Sequence, residues 1–97
     1  MYSILPEVYD ELAAELRGRI GDGSYFSGVV ECLSGDVRVS LRTTLILYRR
    51  EDMRPEGRVS LVSDAVPVWW ECHTVCGAVE FLNGFDFSEL RNRLIDN

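Results

Sequence analysis

Hydrophobic positions along this chain change period after residue 23 and again near residue 86. Between Pro6 and Ile20, Val8, Leu12, Leu16 and Ile20 recur every four residues, with Tyr9 and Ala13 beside them. That spacing puts apolar side chains on one stripe of an α-helix. Pro6 suits the first turn, where its missing N–H costs no hydrogen bond. Acids lead and Arg17 and Arg19 follow, the order the helix dipole favours, and Gly21-Asp22-Gly23 then stops the helix.

From Ser24 onward the period becomes two. Residues 25–33 are rich in aromatic and β-branched side chains and predict a strand. Ser34-Gly35-Asp36 predicts a hairpin loop, with Gly35 free to take positive φ. Residues 37–49 alternate most regularly. Val37, Val39, Leu41, Leu45 and Leu47 share one face, and Arg38, Ser40, Arg42, Thr44, Ile46 and Tyr48 share the other. Such alternation belongs to an antiparallel sheet covered on one side only. Residues 50–57 predict a polar turn region, and 58–64 resume the alternation. Pro67 cannot donate to a ladder and marks an edge, a bulge or a break. Residues 68–75 predict a further strand or the second half of a bent one, and 78–82 a short last strand. Asp86 with Glu89 three residues on reads as a capping box, and Phe85 with Leu90 as a hydrophobic staple, at the start of a helix over about 87–95.

The expectation is therefore one α+β domain over residues 1–97: an N-terminal helix, a four- or five-stranded antiparallel meander sheet and a C-terminal helix, both helices on one sheet face. A chain of 97 residues suits one domain, and no internal repeat or low-complexity tract interrupts it.

Charge narrows the partners. The net charge is -6 and all ten basic residues are Arg. Such a field repels nucleic acid and anionic membranes. The opening MYSILPEVYD has neither a basic region nor a long apolar run, and no apolar stretch approaches the roughly 20 residues of a membrane span. Three cysteines are too few for a disulfide scaffold. Together these lead to the expectation of a cytoplasmic protein with no membrane partner.

Three clusters could carry chemistry. Cys32, Cys72, His73 and Cys76 are soft ligands that would suit zinc. On a strand, however, residues four apart lie about 13 Å apart and neighbours face opposite ways, so the expectation is core cysteines, no metal and no cofactor. His73 shares a face with Glu71, a pair able to do acid–base work, but no nucleophile turn or cofactor motif accompanies it, and no catalytic residue is assigned. Glu7, Asp10, Glu11 and Glu15 form an acidic stripe on the first helix, suited to a basic partner or to solvation alone.

The sheet face is the most informative feature. Trp69 and Trp70 are adjacent, so one faces each way. Val68, Trp70 and Cys72 form a plausible core set, which leaves Trp69 outside with Glu71 and His73. In register, Arg38, Arg42, Ile46, Tyr48 and Val62 would join them. Trp, Tyr and Arg are the residues enriched at binding hot spots. The reading that follows is a small acidic protein-interaction or adaptor module, not an enzyme, whose partner is another protein or a second copy of the chain. Two alternatives stand beside it: a metal or small enzyme site around His73, Glu71 and Cys72, and a single-strand nucleic-acid binder, which the charge disfavours. No small-molecule ligand is identifiable.

Overall fold

The computed structural model of the chain describes residues 1–96. The elements are α1 (Pro6–Ile20), β1 (Tyr25–Ser34), β2 (Val37–Arg54), β3 (Gly57–Cys76), β4 (Val79–Phe81) and α2 (Phe87–Leu94). The strands form one antiparallel sheet in the order β1-β2-β3-β4. This is the α+β meander with a helix at each end that the hydrophobic pattern predicts. Among the described residues, no helix is long and apolar enough to cross a membrane.

Both helices cover the same sheet face. Leu12 and Leu16 of α1 and Leu90 and Leu94 of α2 meet Val30, Val39, Leu41 and Leu45 of the sheet in one buried cluster. The apolar stripe of α1 is the buried one. Gly21 at its C-cap takes φ 57°, and its N–H donates to the Arg17 carbonyl at 3.0 Å. The Arg49 guanidinium donates to the carbonyls of Gly21 and Gly23, each at 2.9 Å, and ties this turn to β2. Gly35 has φ 61° in the β1–β2 turn, as a tight hairpin requires.

Three points of the expectation are corrected or settled. Residues 50–57 are not a loop: β2 continues to Arg54 and β3 starts at Gly57, leaving a two-residue turn. Backbone pairing carries this arm without an apolar face, helped by the Arg58–Glu51 ion pair at 3.4 Å. The arm draws the molecule out to 51 × 23 × 19 Å. Second, of the two readings left open for residues 68–75, the structure shows the bent one: 58–64 and 68–75 belong to one strand. Register shifts opposite Thr44/Leu45 and Tyr48/Arg49 leave Val68 and Ser63 as extra residues, so a bulge beside Pro67 absorbs the proline instead of ending the strand. The bulge also swings Val68 out of the core, where it is exposed, and the shift at Ser63 turns Val62 inward, where it is buried.

The third correction concerns α2, which ends at Leu94. Its cap is not a reciprocal box. The Asp86 carboxylate accepts from the Ser88 N–H at 2.9 Å. The Glu89 carboxylate turns to Arg93 at 3.1 Å, and the Asp86 N–H donates to the Tyr9 hydroxyl on α1 at 2.9 Å. Beyond α2, Asp96 docks on the side of β3 that β2 leaves free. Its N–H donates to the Val62 carbonyl, and its carboxylate accepts from the Val62 N–H, both at 2.9 Å.

Candidate protein-interaction surface

The face of the sheet turned away from the helices carries one side chain from every second residue of each strand. Cα register fixes its rows. Tyr25, Ile46 and Val66 lie across one row, Ser27, Thr44 and Trp69 across the next, then Val29, Arg42 and Glu71, then Glu31, Ser40 and His73, then Leu33, Arg38 and Val75. Tyr48 extends the apolar end beside Asp64. Of the eight sheet residues placed here from sequence, seven (Trp69, Tyr48, Arg42, Arg38, Ile46, His73, Glu71) therefore lie on this one face, and Val62 does not.

The two tryptophans part as neighbours on a strand must. Trp70 goes to the helix side, where its ring lies 5.1 Å from that of Phe85 and 6.3 Å from that of Phe87, but it sits at the margin of the helix layer and stays 41% exposed, so it is not the core residue expected. Trp69 goes to the open side, paired with Thr44. The fully buried Thr43 hydroxyl donates to the Trp69 carbonyl at 2.7 Å and pins this point of β3 next to the bulge. The apolar end is exposed: Trp69 is 45%, Tyr48 53% and Tyr25 64% accessible, with Ile46 and Val66 also exposed between them.

The other end of the face is charged and internally paired. Ser40 Oγ donates to Glu31 at 2.9 Å, and Arg38 sits 3.7 Å from the same carboxylate. His73 is flanked on both sides: Nε2 lies 3.4 Å from Glu71 and Nδ1 3.4 Å from Glu80. Hydrogen bonding to Glu80, then to Glu71, raises the His73 pKa above its ordinary value. Arg42 makes no ion pair among the described residues and stands over a shallow open trough lined by Val29, Ser40, Glu71 and His73.

Sequence reasoning missed Tyr25, Val66, Val29 and Glu80 as members of this face. Tyr25 and Val29 depend on the length of the first hairpin: the turn is the two residues Gly35 and Asp36, with Ser34 opposite Val37, whereas the three-residue loop expected at 34–36 would set Val29 against Leu41 on the helix side. Val66 and Glu80 depend on the bulges and on the short β4 pairing, which have no comparable local signal.

The remaining clusters separate. Cys72 lies on the helix side, opposite in the register to Leu41, while His73 lies on the open side opposite Ser40. Among the described residues, no group of three or more His, Cys, Asp or Glu side chains is arranged to hold a metal ion. Burial, reinforced by the Glu11 carboxylate, pushes the Cys32 thiol up to about 11, and burial pushes Cys72 up to about 12. The acidic stripe is partly spent inside the protein. Asp10 pairs with Arg93 at 2.7 Å and the Glu11 carboxylate lies near enough to Cys32 to raise its thiol, whereas Glu7 and Glu15 are exposed and make no ion pair among the described residues.

No protein-family model matches the chain, and neither does any curated protein or solved structure.

Proposed function

We propose that the protein is a small acidic interaction module that binds another polypeptide through its open sheet face. The observation that supports this reading is the contiguous set Trp69, Ile46, Tyr25, Val66 and Tyr48, exposed on the face with no layer over it among the described residues. An exposed apolar patch of this kind on a small domain marks an interface. Covering a half-exposed Trp or Tyr removes roughly 100 Å² of surface, about 2.5 kcal/mol each, so three such anchors supply the core of a hot spot. The partner suited to the face carries an apolar anchor for Trp69 and a carboxylate for Arg42. In this reading the module works in the cytoplasm, where free thiols persist.

Binding suits the face better than catalysis or nucleic-acid tracking. Both His73 nitrogens are already engaged by carboxylates, and Arg38 and Arg42 stand among Glu31, Glu71 and Glu80, which leaves no basic groove for a phosphate backbone.

A photo-crosslinking amino acid placed in the cell at position 69 or 48, and as controls at Ala14 on α1 and Glu56 at the arm tip, tests the reading. Expected are adducts to one defined protein from 69 and 48 only, lost in the Trp69→Glu variant while the fold is kept. Adducts from the controls alone, or from no position on the face, would reject it.

A further inference from the structure

The two free edges of the sheet are built differently. β3 is protected along its outer side. It carries Pro67 and two bulges, and β4 covers Thr74–Cys76. The Asn83 side chain donates to the Cys72 carbonyl at 2.9 Å, and Asp96 engages both backbone groups of Val62. These are the devices that keep an edge from pairing with another chain.

β1 has none of them. Its 10 residues run in unbroken register with β2, without proline or bulge. Leu47 donates to the Ser24 carbonyl at 2.8 Å in that same register. Bonded pairs alternate along an antiparallel ladder, so the even residues of β1 bond to β2, and the N–H and C=O groups of Tyr25, Ser27, Val29, Glu31 and Leu33 point away from the sheet. Among the described residues, the one group that meets them is the Arg19 guanidinium, 3.4 Å from the Val29 carbonyl.

We infer that this edge is a homodimer interface: β1 of a second copy pairs antiparallel with β1 about a two-fold axis at Val29, joining two sheets into one of eight strands. The side chains fit that axis. Val29 falls opposite Val29, Ser27 opposite Glu31, and Tyr25 opposite Leu33. Tyr25 and Leu33, 64% and 66% accessible, are the most exposed apolar side chains of the strand, and this register covers each with the other. Glu31 is the one charged residue of β1, and the pairing sets it against a hydroxyl instead of a second carboxylate. Shifting the axis by one residue, to Val30, sets Glu31 against Val29 and leaves Tyr25 without Leu33.

The size is adequate. A 10-residue strand is about 33 Å long, and sheet plus helix layer give a depth of about 20 Å, so each copy covers on the order of 600 Å², somewhat below the roughly 800 Å² of a standard interface. About ten backbone hydrogen bonds accompany it. That size belongs to the weaker, concentration-dependent class of association. This inference does not depend on the face-binding reading: the axis leaves Trp69, Ile46, Val66 and Tyr48 uncovered, and Tyr25 is the one residue the two surfaces share.

Analytical ultracentrifugation of the full chain over a concentration series tests it, with three variants. Wild type is expected to dimerise. Val29→Pro removes an outward N–H and no β1–β2 bond, so it is expected to be monomeric with unchanged circular dichroism. Val29→Cys is expected to oxidise to a dimer linked 29 to 29, as mapped by mass spectrometry, and this reads the axis even if the proline variant fails to fold. Trp69→Glu is expected to remain dimeric. A wild type that stays monomeric at 1 mM, a Val29→Cys protein that forms no 29–29 link, or a dimer abolished by Trp69→Glu but not by Val29→Pro would overturn the inference.

Discussion

Asp96 gives the sharpest test of how the C-terminal end closes the fold. Its carboxylate accepts from the Val62 N–H at 2.9 Å and faces the Arg17 guanidinium at 3.2 Å. Arg17 in turn donates to the carbonyls of Arg93 and Leu94 at the end of α2, so one arginine satisfies both the helix terminus and the acid beyond it. A hydrogen bond to a charged group contributes about 1.5–3 kcal/mol. The ion pair contributes less than about 1 kcal/mol, because the Arg17 side chain is 41% exposed. Asp96→Ala is therefore expected to cost about 2 kcal/mol at pH 7, a fall of roughly 10 °C in Tm for a domain this size. Asp96→Asn keeps an oxygen for Val62 and loses the charge, so about 1 kcal/mol is expected. The Val62 hydrogen bond and Arg17 hold the Asp96 carboxyl below its ordinary value, against partial burial. With the folded pKa below the unfolded one, the stabilisation is fully present above about pH 4 and is lost as pH falls through the folded value. Urea unfolding of the three proteins at pH 7 and near pH 3 checks both parts. The gap between wild type and Asp96→Ala should shrink at the lower pH. A gap under 0.5 kcal/mol at pH 7, or one that does not shrink in acid, would refute the clasp.

Other expectations follow from single contacts. Tyr9→Phe removes the acceptor of the Asp86 N–H without opening a cavity, and should lower stability by about 1 kcal/mol in urea titrations. Leu41→Ala, at a fully buried site in the centre of β2, should cost about 2–5 kcal/mol by the same assay. The His73 pKa is raised by Glu80 and Glu71, so its contribution is present below about pH 6.5 and lost as pH rises through the folded value; NMR titration of the imidazole should show an upward shift that Glu80→Gln reduces. Cys32 and Cys72, with thiols near 11 and 12, should react slowly with a disulfide reagent at pH 8 and rapidly once urea unfolds the chain.

What could be read from sequence was what repeats locally. Leu12, Leu16, Leu41 and Leu45 fall on their helical or strand period because a buried face must be apolar, and each is buried as expected. The assignment of Trp69 outward and Trp70 inward also follows from period two, with Cys72 as the inner reference. What was not legible depended on pairing between strands. A bulge adds one residue and inverts the faces beyond it, so Val62 and Val68 changed sides for reasons that lie in the register with β2. The arm at 50–57 carries no apolar pattern, and only its cross-strand partners make it strand. Asp86 has the composition of a capping box, yet Tyr9, 77 positions away, takes the N–H that Glu89 would have received.

The open face follows from element lengths. β2 and β3 are 18 and 20 residues long, and the hairpin they form runs along the 51 Å length of the molecule. The helices, of 15 and 8 residues, span about 22 and 12 Å. They can cover one face of the sheet over part of its length and no more. A solvated second face needs only polar side chains, as the row of Glu31, Ser40 and His73 supplies. Trp69, Ile46 and Tyr25 are not what solvation asks for, and they occur together on the rows next to the bulge that Thr43 pins. In the proposed binding role, a layer from another polypeptide is what covers this apolar cluster.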